Sequence, residues 1–483
     1  MRLLTTLSLL ATAGAFVAGS TVARADLKGS LRALHINASF PGDASYASAS
    51  SAFNLRFTFK PAAVTYPKSP QEVSEIVKIG AAQKLTVVAR SGGHSYIANG
   101  LGGKDGALVV DLQNLNQVSV DSSRGTAVIE SGNRLGDIIL ALGIGGHASF
   151  GGFGFTSRQW GLTLDTITAV NTVLANGTVA RVTNQNDPDL FWGLRGSASS
   201  FGITTSIEVT TFAAPPSATI FQYAWDLNVT AAANGIAAFQ SFVQTNIPPH
   251  FGGEINLVRG PTAGTVTFTL LGGWYAPVDG LNATLAPFMR QMPRAPRTTV
   301  QTGTYLDSAV VLAGGSLDTK SKPDGHDTFY AKSLMTPEGS PISHGAIVAF
   351  VTYLAKQGFA SKTEWFVQLE LYGGKNSAIN AVAPDATAFA HRSSTFTIQF
   401  YASAPGKVPP YPSYGFTFMN DMVKTLTDHS PKNWDYGAYA NYIDDKLVDW
   451  KQRYYGAHYA RLRSLKDKYD PQDLFTFPTA IEE

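Results

Sequence analysis

Residues 87–96 have the sequence Val-Val-Ala-Arg-Ser-Gly-Gly-His-Ser-Tyr. The apolar residues 85–89 predict a short buried strand, and the two glycines predict a turn directly after it. Backbone without Cβ atoms can come close to a ligand and point its N–H groups at an anion such as a pyrophosphate. Arg90 adds a fixed positive charge, and His94 adds a nucleophilic nitrogen whose small neighbours cannot shield it. We therefore expect a ligand-binding loop, although a glycine pair alone indicates only a turn.

The full motif Arg-Ser-Gly-Gly-His-Ser-Tyr at residues 90–96 is much more specific than the glycine pair. It resembles the flavin-attachment loop of the FAD-linked oxidases related to vanillyl-alcohol oxidase, which have a PCMH-type FAD-binding domain. Within that superfamily it is similar to the branch of berberine bridge enzyme and glucooligosaccharide oxidase. The resemblance implies that FAD is the cofactor and that His94 carries it covalently. It also implies flavin contacts from the rest of the loop, at Arg90, Ser91, Gly92, Gly93 and Ser95.

A second glycine-rich stretch covers residues 143–158 and contains Gly-Ile-Gly-Gly-His and Gly-Gly-Phe-Gly-Phe. It lacks the third glycine and the preceding strand of a dinucleotide-binding fingerprint, and no Gly-Lys-Ser/Thr follows nearby. In the resembling family this segment lies along the pyrophosphate and the flavin. The resemblance therefore implies cofactor contacts at Gly145, Gly146, Gly151, Gly152 and Gly154. The backbone of Ile203, in the predicted strand 201–209, is a further implied contact.

The chain contains no cysteine, which excludes disulfides, thiol nucleophiles and cysteine-ligated metals. In the bicovalent members of the family, a segment just before Gly-Ile-Gly-Gly-His carries a cysteine that bonds the flavin a second time. Here the helix-like residues 135–142 run directly into Gly143. This segment is either truly shortened or lost through a gene-model error. In the sequence as written, a second covalent link is not possible and the flavin pocket is expected to be more open.

Residues 1–25 combine a basic residue, an apolar stretch and a small-x-small site at 23–25, which predicts a secretory signal peptide. The mature chain would begin at Asp26. Four Asn-x-Ser/Thr sequons add to the expectation of a secreted, extracellular glycoprotein. They begin at Asn37, Asn176, Asn228 and Asn282.

The net charge of +2 favours neither a nucleic acid nor an anionic membrane as a partner. No segment after the predicted signal has the ~18 uninterrupted apolar residues of a membrane-spanning helix. We expect a monomer without a metal ion. Its expected partners are a small-molecule or oligosaccharide substrate and O2.

Short strands that alternate with one or two helices predict an α+β fold rather than a doubly wound sheet. The first half predicts a helix that begins at Ser69, a hairpin at 117–130, and a second hairpin around the turn Asn176-Gly177. Consecutive prolines at 215–216 predict a domain boundary. We therefore expect a two-part PCMH-type FAD-binding domain at 26–214, a substrate domain at 215–430, and a berberine-bridge-like segment at 431–483 that returns to the first domain.

The predicted substrate domain has strand candidates at 220–225, 266–271, 364–372 and 396–400, with helix candidates at 231–243, 281–292 and 416–426. They predict an antiparallel sheet backed by helices, with one face free to cover the flavin. The aromatic residues of this domain favour sugar stacking or belong to the core, and the sequence leaves both readings open. They are Trp225, Trp274, Tyr275 and Trp365.

Two further motifs carry the expected chemistry. Alternation in 364–372 places Gln368, Glu370 and Tyr372 on one face, which by itself indicates a polar stripe that faces solvent. The resemblance instead implies that Glu370, at a position that is usually Asp, interacts with a catalytic tyrosine. In the motif Tyr-Ala-Asn-Tyr-Ile-Asp at 439–444, it implies that Tyr442 is the general base. Tyr96 would lie beside the flavin ring as a secondary contact.

The reaction implied by this resemblance is oxidation of an alcohol, namely the C1 hydroxyl of an oligosaccharide, to a lactone. A phenolate would remove the hydroxyl proton while a hydride passes to flavin N5, and O2 would then be reduced to H2O2. Three alternatives remain open at this point. They are a dehydrogenase with another electron acceptor, an oxidase that tailors a small secondary metabolite, and an inactive carbohydrate-binding protein that lacks flavin because of the missing segment.

Overall fold

The computed structural model describes residues 26–134, 136, 146–294, 296–319 and 325–482. The predicted signal peptide at 1–25 lies outside these residues, and so do Gly145 and nearly all of the helix-like segment 135–142. Within the described part, no helix is long and apolar enough to cross a membrane.

The strands of this part of the chain are β1 Ala38–Ser39, β2 Ala63–Thr65, β3 Val87–Arg90, β4 Leu108–Asp111, β5 Val118–Asp121, β6 Thr126–Glu130, β7 Ile167–Leu174, β8 Val179–Val182, β9 Gly202–Thr210, β10 Ala218–Asn228, β11 Phe251–Arg259, β12 Thr265–Trp274, β13 Arg297–Gly303, β14 Phe329–Pro337, β15 Glu364–Leu371 and β16 Ser394–Ser403. The α-helices are α1 Leu27–Ala33, α2 Tyr46–Ala49, α3 Pro70–Ala82, α4 Gly146–Ser149, α5 Ser157–Trp160, α6 Pro188–Ser197, α7 Val229–Val243, α8 Asp279–Met289, α9 Tyr305–Leu312, α10 His344–Tyr353, α11 Ala378–Ala381, α12 Ser413–Thr427 and α13 Tyr459–Tyr469.

A small sheet with the order β1-β2-β4-β3 carries the loop at residues 91–96. Strands β2 and β3 both run parallel to β4, so the loop after β3 leaves the sheet at the carboxyl end of that strand. Helix α3 packs against this sheet through Val73, Ile76 and Val77, which are fully buried. The predicted start of α3 is confirmed, because the Ser69 hydroxyl accepts a hydrogen bond from the Glu72 backbone at 3.2 Å.

The second sheet is antiparallel, with the order β5-β6-β9-β7-β8. It contains both hairpins that the sequence predicts, one formed by β5 and β6 and the other by β7 and β8. In the second hairpin, Gly177 has a φ of +81°, a conformation that a residue with a Cβ atom rarely adopts. The Asn-Gly turn signal therefore has a direct backbone cause.

The third sheet is antiparallel, with the order β13-β10-β12-β11-β15-β16-β14, and all its strands follow residue 214. The four predicted strands of this region are confirmed and are longer than expected, except that β15 ends one residue earlier. Strands β11, β13 and β14 were not predicted. β13 is exposed along nearly its whole length and β14 is buried in consecutive runs, so neither shows the alternation that reveals a half-buried strand. The domain boundaries at 214/215 and 430/431 stay predictions.

The two faces of the third sheet differ in chemistry. On one face Trp365, Val367 and Leu369 of β15 pack into a core with helices α7, α8, α10 and α12. Full burial of a side chain of this kind contributes about 1.5–3 kcal/mol, so this face holds the sheet to its helices. The intervening residues, Gln368 and Glu370 among them, project from the other face. The predicted sheet backed by helices is thus confirmed.

The C-terminal segment packs back onto the first half of the chain. Tyr439, Ile443 and Tyr454 lie in the same buried cluster as the five-stranded sheet. Further on, the fully buried ammonium of Lys466 bonds to Asp470 at 2.7 Å and to the carbonyl oxygen of Ser200 at 3.2 Å. A buried charge requires such complete pairing. Helix α13 is therefore fixed to the end of α6 and the start of β9.

Arg158 of helix α5 joins the two halves of the molecule. Its guanidinium is buried and donates to the carbonyl oxygens of Gly373 at 3.1 Å and Lys375 at 2.7 Å. It also donates to those of Pro248 at 2.9 Å and Phe251 at 2.8 Å. Burial lowers the pKa of Arg158 to about 10, so the group stays charged at neutral pH. The planar fork reaches four carbonyl groups at once, and one of them, that of Pro248, also accepts from the backbone of Phe251.

We predict that Arg158→Lys lowers the free energy of unfolding by about 2–4 kcal/mol, because an ammonium cannot reach all four carbonyl groups at once. Denaturant titration of the purified protein measures the change. The matched control is Arg290→Lys, at an exposed arginine that follows α8, which should change stability by less than about 0.5 kcal/mol. Equal effects of the two substitutions would contradict the role of Arg158.

Candidate active site

The loop after β3 presents His94 to solvent. Gly93 has a φ of +77°, which turns the chain directly before the histidine. The His94 ring is exposed, and the edge of the Phe53 ring lies against it with centroids 5.0 Å apart. His94 is therefore exposed and directly follows a glycine turn, as the sequence predicts.

The residues on either side of this turn are fixed by the protein itself. The Arg90 guanidinium donates to Asp111 at 2.7 Å and to the carbonyl oxygen of Ala49 at 2.5 Å. The Ser91 hydroxyl donates to the carbonyl oxygen of Ser131, and that of Ser95 accepts from the backbone of Asn99 at 3.2 Å. The positive charge of Arg90 is therefore paired with a buried carboxylate. Its clearest role in the structure is to hold the loop.

The second glycine segment fits against the C-terminal segment. The N–H of Gly152 donates to the Tyr439 hydroxyl at 2.9 Å. A Cβ atom at Gly151 would lie 2.6 Å from the same hydroxyl oxygen, so only glycine fits there. A Cβ at Gly154 would meet nothing within 4 Å, which leaves open space beside that residue. Gly146 begins the short helix α4.

Ile203 lies in β9, where it pairs with Val173 of β7. Its side chain is buried in the core beneath the small four-stranded sheet. Any contact with a cofactor would therefore involve its backbone, as the resemblance implies.

Tyr442 and Glu370, far apart in the sequence, meet on the polar face of the third sheet. The Tyr442 hydroxyl donates to Glu370 Oε1 at 2.6 Å. The ring of Tyr96 lies nearly parallel to that of Tyr442, with centroids 6.0 Å apart. The Tyr96 hydroxyl in turn accepts from Gln399 Nε2 at 2.7 Å. The three residues proposed for catalysis therefore lie in one cluster.

Burial dominates the electrostatics of this cluster. It raises the pKa of Tyr442 well above the usual range, and the charge of Glu370 raises it further. It also raises the pKa of Glu370, to which the neighbouring charge of Glu254 adds. Burial likewise raises the pKa of Tyr96. In the resting protein the phenols are therefore neutral, and a proton acceptor must be supplied within the cluster.

Three polar residues of the cluster were not predicted from the sequence, namely Glu254, Asn256 and Gln399. Glu254 and Asn256 alternate with Ile255 and Leu257 in β11, a period-2 pattern that predicts a half-buried strand. That pattern is the signal that could have found them. Gln399 is harder to find, because β16 is buried on both faces and shows no alternation.

The aromatic residues considered for sugar stacking belong to the interior. Trp225, Trp274 and Trp365 lie in the core behind the third sheet, and Tyr275 is also buried. The core reading is therefore confirmed for all four. Within the described part of the chain, no group of three or more His, Asp or Glu side chains is arranged to hold a metal ion.

Comparison with known proteins agrees with this geometry. Residues 61–183 match a family described as an FAD binding domain, and residues 438–482 match the family "Berberine and berberine like". The chain is 32% identical to a chitooligosaccharide oxidase of Gibberella zeae, over 91% of each protein. It is 33% identical to the glucooligosaccharide oxidase of Sarocladium strictum, over 89% of each. The chain belongs to the berberine-bridge-enzyme-like family. It is an FAD-dependent oxidoreductase.

A solved structure of glucooligosaccharide oxidase from Acremonium strictum is similar to this fold with a TM-score of 0.86 and 31% identity, and the match covers 94% of this chain and 98% of that one. The FAD of that protein is described as 6-S-cysteinyl, 8α-N1-histidyl. This family member has no cysteine, so its FAD cannot have a cysteinyl link. The position at which the sequence departs from the family, 142–143, lies outside the described residues.

The residues present fit FAD. His94 is exposed on a glycine turn, and open space lies beside Gly154 on the second glycine segment. On the polar face of the sheet, the buried Oε2 of Glu370 has no hydrogen-bond partner in the described part of the chain. A buried polar atom of this kind suits a bound ligand.

The raised pKa of Glu370 makes stability depend on pH. The folded protein retains this proton at a higher pH than the unfolded chain, so the contribution to stability is lost as the pH rises above the ordinary range of a glutamate. The free energy of unfolding of the wild type should fall between about pH 5 and pH 8. We predict that it falls by at least about 1 kcal/mol less in Glu370→Gln over the same range. Denaturant titrations at the two pH values measure this. Glu364→Gln, exposed at the start of the same strand, should behave as the wild type; identical pH slopes for all three proteins would contradict the prediction.

Proposed function

We propose that this protein is an FAD-dependent oxidase that oxidises the C1 hydroxyl of a reducing oligosaccharide to the lactone, with O2 as the acceptor and H2O2 as the second product. The observation that carries the proposal is the hydrogen bond of 2.6 Å between the Tyr442 hydroxyl and Glu370. This hydrogen bond gives the phenolic proton of Tyr442 a defined acceptor, and a phenol that has passed its proton to that acceptor can act as a base.

Each residue of the cluster has a distinct part in this proposal. Tyr442 removes the proton of the substrate hydroxyl, and Glu370 accepts the phenolic proton that Tyr442 must first release. Tyr96 orients the Tyr442 ring by stacking, and the amide of Gln399 fixes the Tyr96 hydroxyl. The bound FAD supplies the acceptor for the hydride that leaves the substrate carbon.

The substrate class is supported by the surface around the cluster and by the relatives. The amides of Gln368, Asn256 and Gln399 lie on the same face of the third sheet as Glu370. Amide groups that can both donate and accept suit the many hydroxyls of a sugar. The two relatives described above act on chitooligosaccharides and glucooligosaccharides according to their names, which extends the same class to this protein.

Secretion is part of the proposal. It is supported by the predicted signal at 1–25 and by the four sequons, since the asparagine of each is exposed. These are Asn37, Asn176, Asn228 and Asn282. A secreted enzyme meets polymeric carbohydrate and O2 outside the cell.

Covalent attachment through His94 would keep FAD in place in an open sugar-binding groove. We predict that protein denatured and washed free of unbound ligand stays yellow, and that His94→Ala releases the flavin under the same treatment. Absorbance of the washed precipitate and of the supernatant measures both results. His344→Ala, at an exposed histidine of α10, should retain the flavin. A colourless precipitate from the wild type would refute attachment.

The function is tested by mixing the purified holoenzyme with reducing oligosaccharides under anaerobic conditions and following flavin reduction by stopped flow. We predict reduction by the free sugars and none by the corresponding alditols, which lack the anomeric carbon. Tyr442→Phe should slow reduction by a factor of about 10²–10⁴, because the general base is lost. Tyr414→Phe, at an exposed tyrosine of α12, is the matched control and should react at the wild-type rate.

In air, peroxide formed in proportion to the sugar oxidised supports an oxidase. Reduction of a dye with little peroxide would instead identify a dehydrogenase. Near-normal flavin reduction in Tyr442→Phe would remove Tyr442 from the role of base, and no reduction of the wild-type flavin by any sugar would refute the proposed substrate class.

A further inference from the structure

Glu254 and Glu370 are two buried carboxyl groups that lie side by side. They are directly opposite each other on the antiparallel strands β11 and β15. Residues so paired have Cβ atoms about 4.5–5.5 Å apart and project from the same face of the sheet. Both side chains are almost completely excluded from solvent. Two negative charges at this separation in a buried site repel each other strongly, so the ionisation of one opposes that of the other.

The hydrogen bonds of the two carboxyl groups differ. Glu254 Oε1 accepts from Asn256 Nδ2 at 2.7 Å and from Gln368 Nε2 at 3.0 Å. Two amide donors stabilise the ionised form of Glu254. Glu370 has one donor, the Tyr442 hydroxyl at 2.6 Å, and its Oε2 has no partner among the residues that the structure describes. The negative charge is therefore better accommodated on Glu254, and a proton on Glu370.

Among the residues with described positions, the remaining titratable groups that face this pair are phenols. Tyr96 approaches from the loop after β3, Tyr372 follows Glu370 on the same side of its chain, and Tyr439 belongs to the C-terminal segment. Burial raises the pKa of each of them, so they are uncharged near neutral pH. From β16, the uncharged Thr397 lies opposite Glu370. The neighbouring carboxylate whose charge acts on Glu370 is thus that of Glu254.

We propose that Glu254 is a positioning residue whose negative charge makes Glu370 basic enough to take the phenolic proton of Tyr442. In this step the O–H bond of Tyr442 breaks, an O–H bond forms on Glu370, and the negative charge passes from Glu370 to the Tyr442 oxygen. The phenolate then takes the proton of the substrate hydroxyl, which restores the Tyr442 hydroxyl. Removal of the substrate proton by the phenolate rests on the proposed function. The electrostatic coupling of Glu254 and Glu370 does not.

Proton transfer from Tyr442 to Glu370 is unfavourable unless the proton affinity of Glu370 is raised. In water a phenol holds its proton about six pH units more strongly than a glutamate, so a carboxylate alone is a poor acceptor for it. Repulsion from Glu254 raises the proton affinity of Glu370 and narrows that gap. The carboxyl group whose charge acts on Tyr442 is Glu370. Glu254 therefore acts through Glu370 rather than on the phenol itself.

The direct test is infrared titration of the folded holoenzyme without substrate. A protonated carboxyl group gives a carbonyl band that a carboxylate lacks, and the band of Glu370 is identified by its loss in Glu370→Gln. In Glu254→Gln, which removes the charge but keeps the shape, we expect the pH midpoint of this band to fall by about one unit or more. Glu364→Gln is the control and should leave the midpoint unchanged. An unchanged midpoint in Glu254→Gln overturns the proposal.

The kinetics give a second readout. In Glu254→Gln we expect the acid limb of kcat to move to lower pH and the plateau of kcat to fall about tenfold, because Glu370 becomes a weaker base. Glu254→Asp retains the charge and should keep the acid limb within about half a pH unit of the wild type. A rise of KM alone, with the pH profile of kcat unchanged, would show that Glu254 only binds substrate and would overturn the proposal.

Failure of this inference and failure of the proposed function give different results. A lowered midpoint of the Glu370 band in an enzyme that oxidises no sugar supports the coupling and refutes the function. Normal sugar oxidation with an unchanged midpoint refutes the coupling alone. If Glu254→Gln does not fold, Glu254→Leu removes the same charge without leaving a buried amide to be paired and should lower the same midpoint; an unchanged midpoint there also overturns the proposal.

Discussion

The hydrogen bond between Tyr442 and Glu370 joins a half-buried phenol to a buried carboxyl group. Burial makes the charged form of either group expensive, so any charge in this cluster is governed by its immediate neighbours. The neighbours are other phenols, side-chain amides and the carboxyl group of Glu254. The cluster is therefore one coupled system, in which the position of a single proton determines whether Tyr442 can act as a base.

The two faces of the seven-stranded sheet make this system possible. One face is apolar and holds the sheet rigidly against four helices, while the other carries the polar side chains that face the FAD-binding half. Arg158 fixes the two halves to each other through four carbonyl groups. The C-terminal segment then contributes twice, since Tyr439 holds the glycine segment at Gly152 and Tyr442 bonds to the sheet. The positions of the glycine segment and of Tyr442 are thus linked by one short segment.

Because the chain has no cysteine, the proposed link through His94 would lack the cysteinyl partner that is described for glucooligosaccharide oxidase. The surrounding loop is held by contacts within the protein, because Arg90 is paired with Asp111 and Ser91 bonds to the strand-end backbone of Ser131. The proposed attachment site is thus positioned by the protein's own side chains.

The sequence by itself determined the family, the cofactor and the class of fold, because these depend on short contiguous motifs whose glycines, histidine and turn residues have local causes. The alternation around Glu370 was also sufficient to put its polar neighbours on one face. Only the tertiary structure decided that Glu254 lies opposite Glu370, since the pairing of β11 with β15 depends on strand order and register across more than a hundred residues. It also decided that Arg90 is paired and that the tryptophans are core, because burial and charge pairing are properties of the packed chain rather than of any local pattern.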